Sequence, residues 1–332
     1  YYTILNLEAP LRSDTPIKKW INLYQAEPLV EILKSLNVIA VNVANNHVLD
    51  WGEKGLERLL QLLDAQQILH FGAGMSLSEA LAPVYIRVGN KTVGFMGYGW
   101  REEMCVYATP TRAGVAPLRE KIILQSLRQL KERANIVVAN LHWGYEYELY
   151  PLPIHRQLAH HLVEHGANLV IGHHPHIVQA VEIYQEKPIY YSLGDFYFGS
   201  LRHRFESLVD DDRVKHLCKY GLGVVFDVKT GVTQRVFFET ENYQTRLCPV
   251  FDLDDLSDIP IPDYDRNFPI LRTSSRKPIL YYGFWHQMVL NPMKLALSHF
   301  KDLLHKFIKP VLKKAGVYDV LRRQFKGLKK RW

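Results

Sequence analysis

The feature that most constrains this chain is an alternation. Short apolar runs of strand type, Val38–Val43, Thr92–Tyr98, Ile136–His142 and Asn168–Ile171, are separated by stretches with helical spacing. The helix candidates are Pro28–Leu36, Glu53–Ala65, Pro117–Arg133 and Pro153–His165. In the third, Ile122, Ile123, Leu127 and Leu130 recur at helical intervals; in the fourth, Ile154, Leu158 and Leu162 do so. Strand–helix–strand alternation of this kind builds an α/β sheet with crossover helices. After Tyr184 the texture shifts. Ile189–Leu193, Gly223–Val228 and Val232–Glu239 follow one another with few helical stretches between them. That shift predicts a sheet of mixed direction rather than a purely parallel one. Lys229-Thr230-Gly231, between the last two runs, predicts a hairpin turn.

With 332 residues, 47% of them hydrophobic, the chain can bury a sizeable core, which excludes disordered and fibrous classes. Cys105, Cys218 and Cys248 are far apart and odd in number, so they form neither a disulfide framework nor a CxxC metal cage. The nearest thing to a membrane span, the uncharged stretch Pro278 to Met293, is 16 residues and carries His286, Gln287 and Asn291, too short and too polar to cross a bilayer. No signal peptide is visible. The net charge of +7 is uneven: Lys294 to Trp332 carries 12 Lys/Arg against Asp302 and Asp319, leaving the rest of the chain slightly acidic. A protein-wide nucleic-acid role therefore fails, and nucleic acid is not an expected partner.

Polar residues of one chemical kind gather where the strand-like runs end. Asn6-Leu7-Glu8 follows Tyr1–Leu5, Ala44-Asn45-Asn46-His47 closes the run from Val38, and His142-Trp143-Gly144-Tyr145-Glu146 closes the run from Ile136. Gly172-His173-His174-Pro175-His176 closes Asn168–Ile171, and Gly194-Asp195 follows Ile189–Leu193. Ligands of open α/β sheets bind beyond the carboxyl ends of the strands. Imidazole, carboxylate and amide oxygen together suit a divalent ion such as Zn, Mn, Fe or Mg. In His174-Pro175-His176 the proline favours an extended residue before it, which would turn both imidazoles to one face. A single histidine is more often surface or satisfied core than ligand. His155, His160, His161 and His165, mostly off the apolar stripe of the fourth helix, are expected on a solvated face. Asn45-Asn46 has a bland reading as turn residues. The recurrence of ligand types at strand after strand favours a shared metal or phosphate site.

These motifs carry a resemblance. Asn6-Leu7-Glu8-Ala9-Pro10-Leu11, Ala44 to Gly52, Gly72-Ala73-Gly74, Leu141 to Glu146, Gly172 to His176 and Tyr191 to Phe196 resemble the CapA family, in order, over residues 1 to about 200. That family, of capsule synthesis and poly-γ-glutamate biosynthesis, is a branch of the calcineurin-like metallophosphoesterases. The resemblance implies an α/β/β/α sandwich of two mixed sheets flanked by helices, with two divalent ions between the sheets in the complete protein. By motif it makes Glu8 the bridging carboxylate, Asn46, His142 and His174 ligands of the second metal, and His176 a ligand of the first. His47 would be the proton donor. Asn6, Glu146, His173 and Asp195 would line the site; the roles of His173 and His174 are not separated, and Asp195 stands where the family usually has Asn. The superfamily's opening Gly-Asp has no counterpart before Asn6. A chain beginning Tyr1-Tyr2 is accordingly expected to be a fragment lacking the first strand.

The expected organisation is an α/β domain over 1–250, an acidic and proline-broken linker over 251–277, and a tail over 278–332. In the tail, Phe300, Leu303, Leu304, Phe307, Val311 and Leu312 form an apolar stripe with Lys301, Lys306, Lys309 and Lys313 off it. A second stripe, Val317 to Trp332, carries Arg322, Arg323, Lys326, Lys329, Lys330 and Arg331. Pro310 kinks the first segment and Gly316 ends it. Basic amphipathic helices with aromatics suit an anionic membrane surface, and Tyr281, Tyr282, Phe284 and Trp285 suit the same interface. The competing readings are docking on the body and an acidic partner. For function the resemblance implies a bacterial metal-dependent phosphoesterase-like hydrolase in capsule or envelope polymer biosynthesis, acting on an anionic polymer or phosphoester, and the tail adds the expectation of a place peripheral to the membrane. The alternative is a non-catalytic polymer-binding or assembly component.

Overall fold

The computed structural model describes residues 1–19, 21–25, 29–197, 212–241 and 244–247. In chain order the elements are β1 (Thr3–Asn6), α1 (Leu29–Ser35), β2 (Val38–Asn42), α2 (Gly52–Ala65), β3 (Leu69–Phe71), β4 (Ala73–Gly74), α3 (Leu77–Ala80), β5 (Val84–Val88) and β6 (Lys91–Gly99). A 3₁₀ turn follows at Arg101–Glu103, then β7 (Gly114–Val115), α4 (Glu120–Lys131), β8 (Ile136–His142), α5 (Pro153–Glu164), β9 (Leu169–His173), β10 (Val181–Tyr184) and β11 (Lys187–Tyr190). The last are α6 (Asp212–Leu217), β12 (Tyr220–Phe226), β13 (Thr233–Glu241) and β14 (Gln244–Leu247). All described residues except Lys18 and Lys19 belong to one compact unit.

Two sheets make the core. One is parallel, in the order β1-β2-β3, with Asn6 beside Asn42 and Asn42 beside Phe71. The other has six strands in the order β10-β11-β9-β8-β6-β5; its four central strands are parallel and its two edges antiparallel. The mixed direction predicted from the sequence is found here. β12, β13 and β14 form a separate antiparallel sheet, and β4 pairs with β7.

Side-chain alternation shows how the layers stack. Along β8, Val137, Ala139 and Leu141 join one core with Ile123, Leu127 and Leu130 of α4 and Leu158 and Leu162 of α5. Ile136 and Val138 face the other way, into a core that also takes Ala40 of β2, Phe71 of β3 and Val93 and Phe95 of β6. Val41 of β2 joins a third core with Leu29 and Leu33 of α1 and Leu56, Leu59 and Leu63 of α2. Alternate residues of one strand thus pack against helices on one side and against the opposite sheet on the other. The result is helix, sheet, sheet, helix. Each large apolar side chain buried this way contributes about 1.5–3 kcal/mol.

The same parity places the polar strand ends. His142 has the parity of Ile136 and Val138, and Asn42 that of Ala40, so both belong to the faces that look between the sheets. The Lys229-Thr230-Gly231 turn joins β12 to β13: Asp227 accepts from Lys229 N at 2.7 Å and Thr230 N at 3.1 Å, and Gly231 takes φ 79°. One expectation is overturned. His155 lies buried at 2% exposure, stacked on Trp143 with centroids 4.8 Å apart, instead of on a solvated face. It sits in the first turn of α5, and the loop after β8 folds back over that turn. His160 is drawn inward too, 3.0 Å from Glu182 and stacked on Tyr184 at 3.7 Å. His161 and His165 remain at the surface. The linker 251–277 and the tail 278–332 lie outside the described residues. Among the described residues, no helix is long and apolar enough to cross a membrane.

Candidate metal centre

The site is assembled from the carboxyl ends of β1, β2, β8 and β9. Register aligns Gly99 with His142 and His142 with His173, so three neighbouring strands end together. β1 ends at Asn6, and Glu8 follows two residues later; Asn6 Nδ2 donates to Glu8 Oε2 at 3.4 Å while Asn6 Oδ1 accepts from Asn42 at 3.0 Å. Past β2, the two asparagines divide their work. Asn45 ties the loop together, donating to the Leu7 carbonyl at 3.0 Å and accepting from His47 N at 3.1 Å. Asn46 sends its Oδ1 to His142 Nε2 at 2.9 Å.

Around His142 the donors crowd. His174 Nδ1 stands 3.1 Å from His142 Nε2, and Glu8 Oε1 stands 3.9 Å from the same atom. Ligand atoms of Glu8, His142 and His174 all lie within 4.8 Å of one another. Burial, with the neighbouring histidines, holds His142 well below the usual imidazole range, so its ring is neutral. Burial pushes the Glu8 carboxyl up to about 7, opposed by His176 and reinforced by Asp195, Glu146 and Asp50. Glu8 Oε1 and His142 Nδ1 are buried without a hydrogen bond. A divalent cation fits this donor set: it would take a neutral imidazole lone pair and a buried carboxylate oxygen, both otherwise costly to bury.

The other sequence-predicted residues sit around this cluster. His47 is held by Asp50, Nδ1 to Oδ2 at 2.6 Å, and the same Oδ2 accepts from Leu23 N at 2.8 Å. His176 pairs with Asp195 at 2.9 Å. Burial alone would lower His176, but Asp195, Glu8 and Glu146 push it up to about 10. Glu146 is partly buried and acts on Glu8 and His176 through its charge. His173, whose pKa burial lowers to about 4, is outside the Glu8–His142–His174 group. The structure thereby separates His174 from His173.

The His-Pro-His segment departs from the extended conformation expected. His174 has φ 100° and His176 φ 58°, so the imidazoles reach one region, centroids 5.8 Å apart, through a turn and not through strand alternation. Ala9, next to Glu8, has φ 118°. Non-glycine residues at such angles mark backbone held under strain, as ligand-bearing loops often are. Gly172, within β9 just before the turn, permits a close approach: a Cβ there would run into the Tyr191 carbonyl and Trp143 Nε1, which are hydrogen-bonded to each other at 3.0 Å.

Sequence reasoning did not single out two carboxylates. Glu103 Oε2 lies 3.3 Å from His174 Nε2, and burial pushes Glu103 up to about 8, with Glu102 adding to the rise. It sits on the 3₁₀ turn after β6, where no strand-end pattern flags it. Asp50 stood inside a quoted motif, but only the fold reveals its pairing with His47.

The family of bacterial capsule synthesis proteins PGA_cap matches residues 2–200. The PGA biosynthesis protein CapA of Bacillus subtilis is 35% identical over 228 residues, covering 67% of this chain and 59% of that protein. The capsule biosynthesis protein CapA of Bacillus anthracis is 32% identical over 197 residues, 58% of this chain and 48% of that one. The chain thus spans about half to three-fifths of the curated relatives it matches. Among solved structures, a putative 5'-nucleotidase from Staphylococcus aureus aligns with TM-score 0.40 and 16% identity, over 75% of this chain and 44% of that one.

Proposed function

We propose, from the premise that this chain belongs to the bacterial capsule synthesis protein family PGA_cap, that it serves capsule or poly-glutamate biosynthesis as a metal-dependent phosphoesterase-like hydrolase. The observation that carries the reading is the convergence of Glu8, His142 and His174 on one buried point between the sheets. Those three, with Asn46, would hold one divalent ion; His176 and Asp195 stand beside it as the candidates for a second. A cation bound there would acidify a water and neutralise charge developing at a phosphorus or similar centre.

The chain's own residues supply the rest. With Nδ1 committed to Asp50, proton exchange at His47 falls to Nε2, and Asp50 fixes both ring orientation and tautomer. Asn6 steadies the Glu8 carboxylate through Oε2, leaving Oε1 toward His142. Trp143, stacked on His155 and bonded to the Tyr191 carbonyl, anchors the end of β8 that carries His142. His47, Asp50, His142, Trp143 and His155 are buried, with Asn6 and Glu8 partly buried beside them, and these surroundings strengthen each of these interactions.

The test is turnover of a panel of phosphodiesters and phosphomonoesters by the purified full chain supplied with Mn, Zn or Mg. Activity that falls about 100-fold or more in His47→Ala and is lost in His142→Ala supports the reading. A folded, metal-loaded protein that turns over none of them, yet binds polymer, would replace it with a binding or assembly role. The segment 278–332 is proposed to hold the protein on an anionic membrane surface. Equal pelleting with anionic liposomes by the full chain and by a chain ending at Lys277 would remove that proposal.

A further inference from the structure

A shallow, solvent-open cleft of about 380 Å³ lies between the loop that follows Glu8 and the first turns of α2, lined by Arg12, Ser13, Asp14, Lys54 and Arg58. We infer that this cleft is a binding subsite for the pendant carboxylates of a polyanionic chain. The inference deepens the functional reading above and rests on it for the kind of polymer.

Charge is the first reason. Three cations face one carboxylate, Asp14, which pairs with Lys54 at 3.4 Å, so the lining carries a surplus of two positive charges. These cations are exposed to solvent, so together they offer an approaching anion a locally positive surface. The second reason is that the cleft is built rather than accidental. Arg12 lies over the rings of Tyr24 and Trp51, 4.9 and 5.0 Å from their centroids, which anchors its guanidinium at the edge of the cleft. Arg58 donates to the Arg12 carbonyl, Ser13 Oγ donates to the Trp51 carbonyl at 2.6 Å, and Ser13 accepts from Thr15 N at 3.1 Å. Two glycines let the walls meet: a Cβ on Gly52 would lie 2.7 Å from the Thr15 carbonyl, and one on Gly55 2.7 Å from the Leu11 carbonyl. Arginine forks in a fixed plane match carboxylates in two-point contact.

The cleft and the metal centre are also carried by the same two segments. One runs from Glu8 to Thr15. The other runs from His47 through Asp50, the partner of His47, to Arg58. A polymer engaged by Arg12, Lys54 and Arg58 is thereby tied to the loops that position Glu8 and His47.

The experiment titrates an oligo-γ-glutamate of about ten residues into the full chain at low ionic strength, with oligoglutamine and inorganic phosphate as parallel probes. Wild-type protein should bind the glutamate oligomer and not oligoglutamine. Arg12→Gln/Arg58→Gln should weaken binding about tenfold or more. Lys54→Gln, at a side chain 61% exposed, should weaken it less without touching the packing of the loop. His142→Ala should bind as wild type does, which separates the cleft from the metal centre. Unchanged binding in both cleft variants, or no binding by wild type, would overturn the inference. So would inorganic phosphate displacing the oligomer at equal concentration, since it would mark a phosphate site.

Discussion

Glu182 offers a sharp test of how the site's scaffold is held. It is a buried carboxylate on β10, at 5% exposure, and α5 reaches it from the next layer. Arg156 grips it with two bonds of 2.8 and 3.2 Å, His160 lies at 3.0 Å, and the Tyr191 hydroxyl donates at 2.6 Å. Burial alone would raise its pKa, but the bonds from His160, Arg156 and Tyr191 hold it down to about 2 against 4.5. At about 1.4 kcal/mol for each pH unit, that gap is worth about 3 kcal/mol. Water reaches Arg156 and His160, 14% and 16% exposed, and screening leaves about 2 kcal/mol. A carboxylate held below its unfolded pKa stabilises the fold above that value and loses the contribution as pH falls toward 2. Glu182→Gln should therefore cost about 2 kcal/mol by urea unfolding at pH 7, or about 4–8 °C in Tm. The deficit should shrink by about 40% at pH 3.5. A deficit that stays constant or grows between pH 7 and 3.5 would refute the electrostatic account and leave a packing defect in its place.

Two further outcomes follow from the geometry. Gly172→Ala places a Cβ against the Tyr191 carbonyl and Trp143 Nε1; overpacking against backbone costs about 1–3 kcal/mol, so Tm should fall, and an unchanged Tm would mean that the turn has room it does not show. Asp50→Ala removes the partner of His47 Nδ1 and of Leu23 N; turnover should fall while metal content holds, and equal loss of both would assign Asp50 to the metal centre instead.

Much of the fold was legible because parallel strands advertise themselves. Val38–Val43 and Ile136–His142 are largely apolar runs, broken only by Asn42 and Asn140, and the first is followed by Asn45-Asn46-His47 while the second closes on His142; a strand buried on both faces presents ligand groups most readily at its end. The same logic brought Glu8, Asn46, His142 and His174 into one list before any geometry. What escaped depends on tertiary context. β5 was missed because Val84–Val88 is short and gains its stability from pairing with β6. His155 read as solvated because helical periodicity knows nothing of the loop after β8 that folds over the first turn of α5. Glu103 was invisible for a related reason: an isolated glutamate on a 3₁₀ turn has no local pattern, and only the approach of the His174 turn gives it a partner. The His-Pro-His conformation was misjudged because proline's preference for an extended predecessor is weak beside the packing that forces the turn.

The central claim, that Glu8, His142 and His174 together hold a divalent cation, is tested most directly by elemental analysis. The full chain would be purified without chelator or His tag beside a His142→Ala/His174→Ala variant, with circular dichroism confirming that both are folded. The account predicts at least one divalent ion per chain in the wild type and its depletion in the variant. A folded wild type without metal, or a variant that keeps the same content, would contradict it.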